Sequence, residues 1–134
     1  MATMKLSIVT PTGSVVDTDV TEATVPGAAG VFGVYPDHQP ALIMLGGGLL
    51  SYEGSEGPGE VHVRGGVAEI SADCLLIITD CALVPADADR SEAEELLEQS
   101  IAALQEAEFL DESTLAKITT DREYAEAILK TAGN

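Results

Sequence analysis

The side chains that could carry chemistry in this chain are few, and their spacing does not suit it. His38 and His62 have no carboxylates or thiols around them at metal-ligand intervals. Cys74 and Cys81 stand seven residues apart in one apolar segment. That odd separation would put them on opposite faces of a strand, so the expectation is two buried apolar thiols with no disulfide and no zinc. Ser7, Ser14, Ser51 and Ser71 occupy strand-like contexts without the sharp glycine-flanked turn that exposes a nucleophile. Gly46-Gly47-Gly48 runs into Leu49-Leu50 where a phosphate-binding loop would need a lysine, and it reads as a turn. The carboxylates are numerous but scattered, as on a solvated surface. No catalytic site, metal or cofactor is implied.

The densest pattern is Pro26 to Pro40, PGAAGVFGVYPDHQP. Pro26, Pro36 and Pro40 alternate with Gly27, Gly30 and Gly33 around a short apolar core of Val31, Phe32 and Val34. Proline fixes its own φ and glycine supplies angles barred to other residues, so this mixture specifies one tight strand–turn–strand path. Tyr35 and His38 are thereby held at a rigid tip, which looks like a docking edge.

Two kinds of element must position that tip. From residue 4 to about 84, short β-branched runs alternate with glycine, proline and aspartate. Ten strands are expected: Lys5–Thr10, Ser14–Thr18, Glu22–Val25, Gly30–Val34, Ala41–Met44, Leu49–Tyr52, Glu60–Arg64, Val67–Ser71, Leu75–Thr79 and Cys81–Val84. They suggest a sandwich or flattened barrel. Residues 54–59 read as a polar hairpin loop and Gly65-Gly66 as another tight connection.

After Pro85 the period changes. Ala93, Leu96, Leu97, Ile101, Leu104 and Ala107 recur at helical steps, then Leu115, Ile118, Ala125, Ile128, Leu129 and Ala132. Asp89 or Ser91 is expected to cap the first helix and Ser113 the second. The fold class is therefore α+β: a ten-stranded β-sandwich over 1–85, a hinge at residues 85–88, and a two-helix antiparallel hairpin over 86–134. Helices of this length are marginal alone, so the hairpin must pack on itself, on the β-domain or on another protein.

Net charge is −17, from 23 acidic against 6 basic residues. Nucleic acid and anionic lipid would be repelled. The charge suits either solubility in a concentrated or saline cytoplasm or a basic protein partner. No stretch is apolar enough for a membrane helix, and the start, MATMKLSIVTP, does not read as a signal peptide. A cytosolic or cytosol-facing location is expected.

Leu6-Ser7-Ile8-Val9-Thr10-Pro11-Thr12-Gly13, the Pro26–Pro40 string, residues 63–70 (VRGGVAEI) and residues 77–82 (IITDCA) together resemble the epsilon subunit family of bacterial F-type ATP synthase, whose mitochondrial counterpart is called delta. The resemblance spans essentially the whole chain. It implies a rotor subunit of the central stalk, bound to the gamma subunit and seated on the ring of c subunits. It would be peripheral at the cytoplasmic face of the bacterial inner membrane and would itself do no chemistry. It also implies that Val31, Tyr35 and His38 lie at or near the contact with the ring. In many relatives the helices swing from a folded hairpin to an extended form that inhibits ATP hydrolysis.

Three departures bear on this. Val31 stands where several relatives have an acid, and Asp37 where many have glycine. Nucleotide-binding relatives carry an aliphatic residue, Asp, two variable positions, Arg and Ala at the hinge. Here the stretch is Ala86-Asp87-Ala88-Asp89-Arg90-Ser91, with Leu97 where a further arginine is expected. Asp87, Arg90 and Arg122 would make only a weak ATP site, because a triphosphate needs several cations. Lastly, residues 87–134 hold thirteen carboxylates against four cations, a net −9. Relatives latch basic helices onto an acidic loop of the catalytic beta subunit. Like charges would meet here, so the hairpin is expected to stay mainly folded and to inhibit weakly.

Overall fold

A computed structural model describes residues 2–106 and 110–132. Seven strands come first: β1 (Met4–Thr10), β2 (Gly13–Gly27), β3 (Gly30–Val34), β4 (Ala41–Gly54), β5 (Gly57–Ile70), β6 (Cys74–Ile78) and β7 (Ala82–Leu83). A 3-10 turn at Pro85–Asp87 leads into α1 (Arg90–Glu106) and α2 (Glu112–Ala132). The strands form one sheet in the order β1-β6-β5-β4-β2-β3. β1 also pairs with β2, which closes the sheet into a flattened barrel, and β7 pairs with β5.

The number of strands is seven, not ten, because three expected breaks lie inside continuous strands. In β5 the residues in the barrel core are Val61 and Val63 before Gly65-Gly66, then Ala68 and Ile70 after them. The alternation changes phase there, with φ of 75° and 110° at the two glycines. β4 changes phase with it, since Leu45 and Leu50 both face inward. The pairing of the two strands nevertheless keeps one register from Ala41↔Ile70 to Gly54↔Gly57. β2 does the same near Val20, where it passes from β1 to β4 with a register shift between Val20 and Glu22. Neither Gly46–Gly48 nor Gly65-Gly66 is a connection. Both lie mid-strand.

Met4, Leu6, Ile8, Val20, Val25, Leu50, Val61, Leu75 and Ile77 fill the barrel and are almost wholly shielded from solvent. At roughly 1.5–3 kcal/mol per buried aliphatic side chain, this cluster is the main source of stability of the β-part. A second, smaller cluster of Ala93, Tyr124 and Ile128, flanked by Cys81, Leu83, Ala88, Leu96 and Leu129, joins the helices to the barrel's outer face. Ala107 of the expected apolar stripe lies outside the described residues, as does the side chain of Ala132. Leu115, expected on the packed face, is exposed.

Helix starts follow local capping. Asp89 Oδ1 accepts the Glu92 amide at 3.1 Å. The cap of α2 is Asp111 and not Ser113: its Oδ1 accepts the Thr114 amide at 2.7 Å and the Ser113 hydroxyl at 3.0 Å. These donors hold the Asp111 carboxyl below its usual range.

Candidate functional site

The Pro26–Pro40 segment forms a hairpin and a turn at one end of the sheet. Gly27 pairs with Gly30 across the two-residue loop Ala28-Ala29. A Cβ on Gly27 would press on the Gly30 carbonyl and the Phe32 ring, and Gly30 has φ +137°, so both positions require glycine. The Tyr35 ring lies against Gly33. Pro36 followed by Asp37 at φ 66° is the combination a type II turn uses, which explains why glycine would also suit position 37. The Asp37 amide donates to the Ala72 carbonyl at 2.7 Å and ties this turn to the loop before β6.

Three of the expected docking residues meet this end differently. Val31 is 73% exposed and Tyr35 56% exposed. His38 is half-buried, with Nδ1 2.7 Å from the Gln39 carbonyl. Two residues missed by the sequence reading join them: Leu42 and Met44, 72% and 64% exposed on one face of β4. Gly30, Gly27 and Leu45 stand in one row across β3, β2 and β4, so Val31 and Met44 each sit one residue from that row. Leu42 and Met44 alternate with half-buried residues, and that alternation could have marked an outward apolar face. The rim continues into a groove of about 930 Å³ between β4, β5 and α2, lined by Met44, Leu45, Arg64, Leu115 and Lys117 among others.

The seam under α2 contains most of the remaining polar chemistry. A Cβ on Gly47 would collide with the Thr120 carbonyl and the Tyr124 amide, so the glycine triplet is a bed for the helix backbone. Glu123 Oε1 accepts the Gly47 amide at 3.3 Å. Arg64 Nε donates to Asp121 Oδ1 at 2.7 Å, and its guanidinium lies 5.5 Å from the Tyr124 ring centroid. That hydrogen bond raises the Arg64 pKa further, so it stays charged. The Tyr124 hydroxyl lies 3.4 Å from Cys81 Sγ, and burial pushes its pKa up. Tyr124 is thus a neutral hub that the periodicity reading left out.

The cysteines correct one expectation. β6 ends at Ile78, so Cys74 and Cys81 do not share a strand; both are free and only half-buried. No cluster of three or more metal-ligating side chains occurs among the described residues. Of the nucleotide candidates, Arg90 pairs with Glu94 at 3.1 Å and Arg122 with Glu126 at 2.8 Å, each along its own helix. Asp87, Arg90 and Arg122 are all exposed, and none of them lines the groove. These pairs leave little cationic charge to meet a triphosphate.

The family profile described as ATP synthase, Delta/Epsilon chain, beta-sandwich domain matches residues 3–85. The ATP synthase epsilon chain of Wolinella succinogenes is 36% identical over 108 residues, 80% of this chain and 82% of its own length. The chain belongs to the ATP synthase delta/epsilon family. The epsilon chain of Granulibacter bethesdensis matches at 30% identity over 98% of both chains, so the helical part is covered as well. A chain in the Euglena gracilis mitochondrial ATP synthase structure (OSCP/F1/c-ring, rotational state 1) superposes with a TM-score of 0.76 at 22% identity, covering all of this chain and 83% of that one. That likeness speaks for the fold. Within the delta/epsilon family's matched span lie the whole rim and the β half of the seam.

Proposed function

We propose that this chain is a rotor subunit in the central stalk of an F-type proton-translocating ATP synthase, coupling rotation of the c-ring to the catalytic head through the gamma subunit. It performs no chemistry itself. Residues 1–85 act as the docking module and residues 86–134 as a helical appendage. The supporting observation is the stiff, glycine- and proline-pinned rim, on which Val31, Tyr35, Leu42 and Met44 stand exposed around a fixed hairpin. Large apolar side chains left exposed suit a protein partner, and each could contribute roughly 1.5–3 kcal/mol on burial. His38 sits beside them as a polar contact.

Gamma and the c-ring are the partners this rim fits, with the subunit peripheral at the cytoplasmic face of the bacterial inner membrane. No described helix is long and apolar enough to cross a membrane. The hairpin rests on the barrel through the Gly47 bed and the Arg64–Asp121 pair, and its net −9 opposes binding to an acidic loop of the catalytic beta subunit. Inhibition of ATP hydrolysis by the helices is therefore weak, and ATP is not a resident ligand of Asp87, Arg90 and Arg122.

Co-purification tests this reading. The full chain should retain gamma and c subunits from solubilised membranes, and the Val31→Asp/Met44→Asp variant should retain at least tenfold less, as loss of about 1.4 kcal/mol or more of binding implies. Equal recovery with the folded double variant would contradict the assignment of the rim.

A further inference from the structure

Among the described residues His62 is the one titratable side chain with no solvent exposure, and neither ring nitrogen has a hydrogen-bond partner. Val61 and Val63 point into the barrel, so His62 faces outward with Arg64 beneath the helical hairpin. The Tyr124 ring of α2 covers it edge to face, with centroids 6.5 Å apart. Its cross-strand neighbours are Leu49 on β4 and Leu83 on β7, which bring no charge. An imidazole in such a place is shielded only while α2 remains seated.

We infer that protonation of His62 unseats α2, so that docking of the hairpin on the barrel weakens as pH falls from about 7 to about 5. The groups facing it cannot prevent this. Glu60, two residues back on β5, favours the charged ring, but burial outweighs it and the pKa is lowered. Arg64 is a cation two residues on, and Asp121 of α2 is engaged by it. Tyr124 stays neutral, its hydroxyl beside Cys81. Glu92 of α1 acts on Tyr124.

The sign follows from linkage. With α2 lifted, water reaches the ring and its pKa returns to the ordinary 6.5. Above that pH both states are neutral and docking is unaffected. Below it only the undocked state takes up the proton, so the undocked population gains about tenfold by pH 5.5 if the docked ring is still neutral there. The chain has just two histidines, and His38 lies in the turn after β3, outside the seam. Carboxylates titrate lower.

The test is hydrogen exchange on the full chain, an experiment that stands whether or not the rotor reading holds. Protection factors of α2 amides from Asp121 to Lys130, corrected for the intrinsic pH dependence, should fall between pH 7.5 and 5.5, by up to about tenfold. They should fall equally in His38→Gln and stay level in His62→Phe. Should His62→Phe not fold, NMR titration of the wild-type ring serves: a midpoint below the ordinary 6.5 is expected. Level protection in the wild type, an equal fall in His62→Phe, or a ring midpoint at its ordinary value would overturn the inference.

Discussion

Gly47 and Gly66 both forbid a side chain, yet they guard different parts of the molecule. A methyl at Gly47 would meet the backbone of α2 at Thr120 and Tyr124, a partner that can lift away. Gly47→Ala should therefore release the helix, with α2 amides losing most of their protection while the barrel's melting temperature changes little. Gly66 has φ +110° and a Cβ there would strike the Ile78 carbonyl inside the sheet. Gly66→Ala should cost the barrel about 3 kcal/mol or more in denaturant titration, because strain and overpacking act together. The Pro26–Pro40 glycines are legible in the sequence, since their turn role is written in their spacing with proline. Gly46–Gly48 reads as a turn in the sequence because a helix bed demands the same residue for a reason that lies 73 to 77 positions away in the chain. Leu42, Met44, His62 and Tyr124 were missed likewise, since exposure and cross-element contact have no local signature.

Elements show why three strands looked like six. Alternation of apolar and polar residues is readable only while the strand keeps one face inward. β2, β4 and β5 each change the inward face partway, at Val20, around Gly46 and at Gly65-Gly66. The order of elements, the break between strands and helices after Leu83, and the two helices are legible because none depends on such a change. Capping was only partly legible, as Asp111 and Ser113 are both good caps by type and geometry alone chooses. Asp111→Ala should speed exchange at the Thr114 amide more than Ser113→Ala does. The depressed Asp111 carboxyl gives this cap a pH sign: it acts above the ordinary carboxylate range and is lost as pH falls through the lowered pKa. The clasp between β5 and α2 belongs to this scale too. Arg64→Ala removes a part-buried ion pair and a guanidinium–ring contact, and should weaken docking by about 1 kcal/mol, read as a fivefold drop in α2 protection.

At the scale of the molecule, a rigid barrel presents its apolar rim while an acidic hairpin is clasped against its side. The net charge of −17 contrasts with the uncharged side chains of Val31, Tyr35, Leu42 and Met44 that the rim exposes. Because the hairpin is seated and negatively charged, deleting residues 87–134 should raise ATP hydrolysis by the assembled enzyme less than twofold; a large rise would show that the helices act as a brake despite their charge. In the proposed rotor reading the rim carries the heavier burden, since torque would pass through it. The direct measurement is proton pumping per ATP hydrolysed in membranes whose enzyme contains the Val31→Asp/Met44→Asp chain. A ratio several-fold below wild type, with hydrolysis retained, is the expected result. An unchanged ratio with the variant chain present in the complex would contradict the account.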